Sequence, residues 1–425
     1  MSGILTLLYL SVYFTPVWAS SVIPVILIPG NGGCQLEAKL QNKPRVPHWW
    51  CKKNSDWFRL WFDFKQLLPY QIDCWGDNMR LVYSDKNGGS YSDAPGVLVR
   101  APGWGATNTL EYLDPYFRAG GSNMFGTLVD FLIRNGGKRG ETVRGAPYDF
   151  RKVPSSEYFD KLKKLVEETK WENNGLPVNI VSHSLGGLVV ARFLRSMSRS
   201  WRETNLRRWI AVATPFAGSE GIIQSFASGN NLGVTAVDPN AIRSVQRSSE
   251  TNFWLLPSVE KYGDTVIAST GVRNYTARDY RSFFSDIGFP EGFAQFQRVE
   301  RLYSIQDSAG ELVSGINLTH CYGLGVDTPS SLVYDADDFS AGPETTFTAD
   351  GDGTVGIESL QAFESSWLKS GRFERRIYPG VSHVGILQNE QFLSELVELL
   401  GWEPLQQVSR GRGSNPSRME SIPYR

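Results

Sequence analysis

The sequence predicts an α/β fold, a mostly parallel sheet with helices on both faces. Three observations carry this. Val22-Ile-Pro-Val-Ile-Leu-Ile28 is a near-continuous apolar run, the pattern of a strand buried on both faces. Val178-Asn-Ile-Val181 is another short apolar run. It breaks at Ser182-His-Ser-Leu-Gly-Gly187 and resumes as Leu188-Val-Val-Ala-Arg-Phe-Leu194, which has one apolar face at helical spacing. Around these pieces, strand and helix character alternate along the chain, the order that lays strands parallel.

Composition narrows the class. A chain of 425 residues can bury one large core or two ordinary ones. With 41% hydrophobic and 20% charged residues it reads as globular, neither disordered nor membrane-spanning. A net charge of −1 gives no electrostatic reason to expect nucleic acid.

In order along the chain, residues 1–19 read as a signal peptide cut after Ala19. An apolar run from Ile4 to Phe14 is followed by Pro16 and a small-x-small site, although no Lys or Arg precedes the run. An uncleaved interfacial anchor is the rival reading, since the run is too short to span a bilayer. Sequons at Asn274 and Asn317 fit a secreted route. The first strand ends in Pro29-Gly-Asn-Gly-Gly33, a loop able to present backbone N–H groups. In hydrolases of this architecture such a loop gives one oxyanion donor and the residue after the nucleophile gives the other, here Asn31 and Leu185.

From Trp49 to Trp75 aromatics interleave with Lys52, Lys53, Arg59 and Lys65, and Cys51 and Cys74 close the segment as one loop. Trp49, Trp50, Trp57, Phe58, Trp61 and Phe62 suit a lipid surface, with rings at headgroup level and cations on phosphate. Their alternative is the core, which would carry more Leu, Ile and Val and fewer charges. Gly120 to Gly137 reads as a helix, Arg144 to Arg151 as a charged turn, and Tyr158 to Trp171 as a second helix. After the serine turn, Trp209 to Ala213 is a strand. From Phe216 to about Thr346 the periodicity weakens, which reads as a cap or lid interrupted by a strand near Leu318–Tyr322, with Ala227 to Gly233 as a mobile loop. Arg372 to Tyr378 is the last strand and Glu390 to Leu400 the closing helix. The divisions are thus 1–19, a main domain over 20–403 with 46–80 and mostly 216–346 as subdomain and cap, and a polar tail over 404–425 that reads as disordered.

A strand, a sharp turn with Ser184 at its tip, and a helix make a nucleophile elbow. Ser182 stands where the usual pattern has Gly, a small-for-small exchange. A serine nucleophile needs a base, and the base an orienting carboxylate. Of the four His, His383 follows the last strand on a loop before the final helix, where this fold places its base. Asp350 and Asp352 offer the acid. Their D-x-D-G loop could bind Ca²⁺, but the twelfth position is Gln361 where that motif needs Glu. Chain order favours Ser184, Asp352 and His383. No metal or cofactor is implied.

The chain also resembles the lecithin–cholesterol acyltransferase and lysosomal phospholipase A2 family. The resemblance rests on Gln35-Leu-Glu-Ala-Lys-Leu40, Asp73-Cys-Trp75, Arg144-Gly-Ala-Pro-Tyr-Asp149, Ser182-His-Ser-Leu-Gly186, Asn274-Tyr-Thr-Ala-Arg-Asp279 and Asp350-Gly-Asp-Gly-Thr-Val355. It implies an α/β-hydrolase core, a membrane-binding subdomain around a Cys51–Cys74 bridge, and a cap over the site. It implies an acyl-enzyme on Ser184, loaded from a glycerophospholipid at a membrane or lipoprotein surface and discharged to water or a lipid alcohol. Alternatives are a lipoprotein-associated sterol acyltransferase and an inactive lipid-binding scaffold. Departures are informative. Asn31 stands where the lysosomal branch has Asp and the plasma branch Cys. Phe363 occupies the partner position of Cys321, so Cys34 and Cys321, near the starts of different strands, are expected as free thiols. The expected location is the secretory pathway, in the lysosome or outside the cell.

Overall fold

Six strands form the central sheet: β1 (Val25–Ile28), β2 (Val143–Gly145), β3 (Val178–His183), β4 (Leu206–Val212), β5 (Asn317–Leu324) and β6 (Phe373–Pro379). The computed structural model describes residues 22–403 except 117, 119, 232–236, 304–313, 336–337, 340 and 369–371. The expected signal peptide and tail lie outside these residues, as do Leu232 and Gly233 of the expected loop. The sheet runs β6-β5-β4-β3-β1-β2, with every neighbouring pair parallel. From β1 the chain winds to one side for β2, then returns to the other side for β3. Such a reversal leaves a crevice off the carboxyl ends of β1 and β3. The register pairs Ile28 with Ser182, so the loop after β1 and the serine turn after β3 lie side by side. This is the α/β-hydrolase arrangement.

All of β1 and β3 is buried, which explains their unbroken apolar runs. The closing helix Glu390–Leu400 buries Phe392, Leu393, Leu396 and Val397, and ends at Gly401 in the left-handed region. The helix expected from Gly120 is shorter, Gly126–Arg134. Ahead of it, the Asn123 side-chain oxygen accepts from the Thr127 N–H at 3.3 Å. The stretch expected to be weakly periodic holds several short helices, among them Pro239–Ser248 and Glu291–Tyr303. A smaller sheet joins Asn274–Thr276, Val266–Ser269, Thr328–Val333 and Thr345–Ala349.

The aromatic segment belongs to an antiparallel sheet of Leu36–Leu40 with Ser55–Trp61 and Val97–Arg100, closed by the Cys51–Cys74 disulfide. Here one sequence expectation is corrected. Trp49 is 90% exposed, and Trp50 and Trp57 are also exposed, but Trp61 is only 8% exposed. Phe58 and Phe62 are half-buried and pack on the core. Trp61 turns inward because its ring lies against Trp75 and Phe150, and its Nε1–H donates to the Gly32 carbonyl at 2.8 Å. Cys34 and Cys321 are free and buried, although Cys321 lies inside β5 and not near its start. Phe363 fills its own position by packing on Phe216 and Trp367.

Buried Arg151 knots these layers together. Its guanidinium donates to Asp149 at 2.8 Å, Asp93 at 2.7 Å and the Met79 carbonyl at 2.9 Å, while its own carbonyl accepts from the Glu250 N–H at 2.8 Å. Burial works against the charge on Asp149, yet Arg151 beside it holds the carboxyl below the usual range. Arg151→Met leaves Asp93 and Asp149 only Lys152 as a cation in a largely buried site, so the variant loses about 3 kcal/mol of stability, read from denaturant unfolding.

Candidate active site

Ser184 sits between β3 and the helix Leu185–Ser196 with φ 55° and ψ −129°, a strained conformation for a residue with a side chain. Its N–H donates to the Val212 carbonyl at 2.8 Å. The turn is possible because neighbouring positions lack side chains. A Cβ on Gly30 would lie 2.7 Å from the Ser184 Cβ, and one on Gly186 would lie 2.5 Å from the Pro29 carbonyl oxygen. Ser182, the exception to the usual Gly, fits because its buried hydroxyl accepts from Trp209 Nε1–H at 2.8 Å.

The three residues selected from chain order meet here. Ser184 Oγ is 2.9 Å from His383 Nε2, and His383 Nδ1 is 2.7 Å from Asp352 Oδ2. Asp352 can only accept, so Nδ1 carries the proton and Nε2 offers its lone pair to the serine hydroxyl. The other Asp352 oxygen accepts from the N–H groups of Thr354 and Val355 at 3.0 and 2.8 Å. Burial disfavours the Asp352 charge, but His383 and the two N–H donors outweigh it and hold the carboxyl below its ordinary range. Asp350 has another task, accepting from the Gly325 N–H at 2.6 Å. His48 pairs with Asp73 at 2.6 Å, and His320 is buried within β5, where desolvation pushes it down to about 3. The array can transfer a proton from a hydroxyl while an acyl centre is attacked.

Leu185 opens its helix, so its N–H has no intrahelical acceptor. Asn31 is at the exposed corner of a turn closed by the Gly33 N–H to the Gly30 carbonyl at 3.0 Å, with Gly32 at φ 68°. The Asn31 amide donates to Asn252 at 3.3 Å. Trp61, selected as a lipid contact, instead bonds this turn. Asn274 and Asn317 are both exposed. Among the described residues no cluster of His, Cys, Asp and Glu is arranged to hold a metal.

Two residues escaped the sequence reading. His183 precedes the serine, and its Nε2 is 2.9 Å from the His383 carbonyl oxygen, with the two rings 4.9 Å apart. Burial, then the neighbouring His383, pushes its pKa down to about 3, so it is a neutral donor at Nε2. The only available signal was adjacency to the serine, which carries no hint of a contact 200 positions away. Glu220 packs behind the acid loop, where Gly356 adjoins its carboxylate and the Ser219 hydroxyl donates to the Thr354 carbonyl at 2.6 Å. Burial, with repulsion from Glu358, raises Glu220 to about 7.

A family model described as lecithin:cholesterol acyltransferase matches residues 57–317. The chain is 39% identical over 388 residues to human "Lysosomal phospholipase A and acyltransferase", covering 89% of this chain and 90% of that protein. It is 39% identical over 398 residues to "Lecithin-cholesterol acyltransferase-like 1" of Arabidopsis thaliana, covering 89% and 90%. It is 37% identical over 385 residues to rat "Phosphatidylcholine-sterol acyltransferase", covering 89% and 84%. Among solved structures, the Tle4–Tli4 complex contains a chain with the same fold: TM-score 0.51, 14% identity, 89% of this chain and 98% of that one.

Loss of the His183 contact should loosen the loop that carries His383. His183→Ala lowers kcat on a soluble p-nitrophenyl ester about tenfold with KM unchanged, and His183→Gln, which keeps an N–H donor, recovers part of it. Glu220 gives a pH signature. Its folded pKa of about 7 lies above the ordinary 4.5, so its contribution is fully present below about pH 4.5 and is lost as pH rises through 7. Thermal unfolding of wild type against Glu220→Gln from acid to neutral pH should show wild type losing roughly 2–3 kcal/mol relative to the variant.

Proposed function

The chain belongs to the lecithin:cholesterol acyltransferase family, and on that premise we propose that it is a serine phospholipase A and lipid O-acyltransferase. The observation that carries this reading is the continuous hydrogen-bonded line from Ser184 through His383 to Asp352 on a strained elbow. Ser184 Oγ attacks the carbonyl carbon of a glycerophospholipid ester as His383 Nε2 takes its proton. Asp352 stays ionised and stabilises the imidazolium. The tetrahedral oxyanion is held by the N–H groups of Asn31 and Leu185. Collapse expels the lysophospholipid oxygen, which receives the proton from His383, and leaves an acyl-serine ester. Water or a lipid alcohol then gives its proton to His383 and attacks that ester; the acyl–Ser184 bond breaks, Ser184 Oγ takes the proton back from His383, and the new acid or ester leaves.

Hydrolysis and transfer share the first half-reaction and differ in the second nucleophile. Transfer prevails where the alcohol is held in attack geometry at high effective concentration. Residues 46–80 supply the lipid surface in this reading, with Trp49, Trp50 and Trp57 outermost and Phe58 and Phe62 half-covered. No helix among the described residues is long and apolar enough to cross a membrane. Residues 1–19, as a signal peptide, would send the chain into the secretory pathway, to the lysosome or the exterior, with glycans at Asn274 and Asn317. The relatedness to a phosphatidylcholine–sterol acyltransferase keeps sterol as a second acceptor.

The test uses phosphatidylcholine liposomes containing ceramide or cholesterol, at acid and neutral pH, beside Ser184→Ala. Fatty acid and acylated alcohol should form with wild type, and both should fall by at least about a thousandfold in the variant. Acylation of cholesterol alone would select the sterol reading. Vesicle binding without turnover above the variant would sink the enzyme reading.

A further inference from the structure

We propose that a cavity beside the disulfide-closed loop binds one phosphate group of an anionic lipid headgroup. The cavity measures about 360 Å³ and is lined by the 44–47 segment, by Pro95, and by Asp77 and Arg80 at the end of the helix Ile72–Met79. Its charge is unbalanced. Asp77 is doubly paired, with Oδ2 2.7 Å from the buried Lys43 ammonium and Oδ1 3.0 Å from Arg80 Nε. Arg45 is exposed and forms no ion pair or hydrogen bond among the described residues. Arg45 and Arg80 line the opening with Asp77, and because buried Lys43 neutralises Asp77 from behind, the lining keeps an excess of positive charge. Arg45 can offer a fork of donors to a tetrahedral oxyanion, and Arg80, whose Nε and Nη2 are on Asp77, can add its remaining Nη1.

The walls are preformed. Pro44, Pro47 and Pro95 each have a fixed φ. Gly96, at φ 77°, lets the chain press on Lys43, because a Cβ there would lie 2.7 Å from the Lys43 Cα. The Lys43 N–H also donates to the Lys53 carbonyl at 3.1 Å. A rigid site loses little entropy on binding.

The lipid source follows from the neighbourhood, and this step rests on reading 46–80 as a membrane surface. Arg45 is followed at once by Val46, Pro47, His48 and the most exposed of the tryptophans, Trp49. On the other wall, the helix that carries Asp77 is pinned by Cys74 to Cys51, next to Trp50. The cavity and the outermost rings therefore belong to one cross-linked piece. Rings seated at headgroup level would bring the cavity to the depth of lipid phosphates.

The experiment measures binding to phosphatidylcholine vesicles with and without phosphatidylglycerol. It compares wild type, Arg45→Gln/Arg80→Gln, and the charge-matched Lys52→Gln/Lys53→Gln. Lys43 still neutralises Asp77 in the first variant, and turnover of a soluble p-nitrophenyl ester verifies its fold. Both variants lose general attraction, about fivefold per charge. The arginine variant should lose about tenfold more on the phosphatidylglycerol vesicles, and inorganic phosphate should compete weakly and only with wild type and the lysine variant. Equal losses in the two variants, or an equal extra loss on phosphatidylcholine alone, would overturn the proposal. Tight, saturable inorganic phosphate binding with no difference between vesicles would assign the cavity to a soluble anion and overturn the lipid source. If wild type binds neither vesicle while the soluble ester is still turned over, the membrane-surface reading falls, and the proposal with it.

Discussion

Everything at the site depends on two stretches of backbone approaching until no side chain fits between them. The loop after β1 crosses the turn after β3 so closely that Gly30 and Gly186 can carry no Cβ without striking Ser184 or the Pro29 carbonyl. That contact sets the loop carrying Asn31 against the serine turn and the start of its helix. It is also why Ser184 is held at positive φ. The cost of order 1–3 kcal/mol for such a backbone is met by the fully buried strands on either side.

The support extends outward in layers. His183 anchors the loop carrying His383, and Trp61 anchors the turn carrying Asn31. Arg151 ties the segment after β2 to the helix Glu250–Trp254, whose Asn252 accepts from the Asn31 side chain. Each contact joins elements far apart in the chain, so small changes at the periphery reach the serine through a few hydrogen bonds.

The sequence carried the fold well where the physical signal is local. Continuous apolar runs marked β1 and β3, and chain order brought out the same serine, aspartate and histidine that the structure places in line. It failed where burial is decided by contacts across the chain. Trp61 has the composition of its exposed neighbours, and only the turn at Gly32 and the rings of Trp75 and Phe150 draw it inside. His183 looked idle for the same reason. Most helices of 216–303 run four to seven residues, too few turns to display a face, although the longer Pro239–Ser248 and Glu291–Tyr303 do bury one side. Glu220 carried no mark at all, since nothing local distinguishes a buried glutamate from a solvated one.

The placement of sulfur has a consequence for durability. Cys34 and Cys321 are fully enclosed, and burial pushes both thiols up to about 12, so they present almost no thiolate to an oxidant. The Cys51–Cys74 bridge lies in the aromatic segment, away from the central sheet. Phe363 packs on Phe216 and Trp367. Chemistry at Ser184 is thus insulated from thiol redox conditions, and among the described residues a reducing environment acts on the disulfide-closed segment alone.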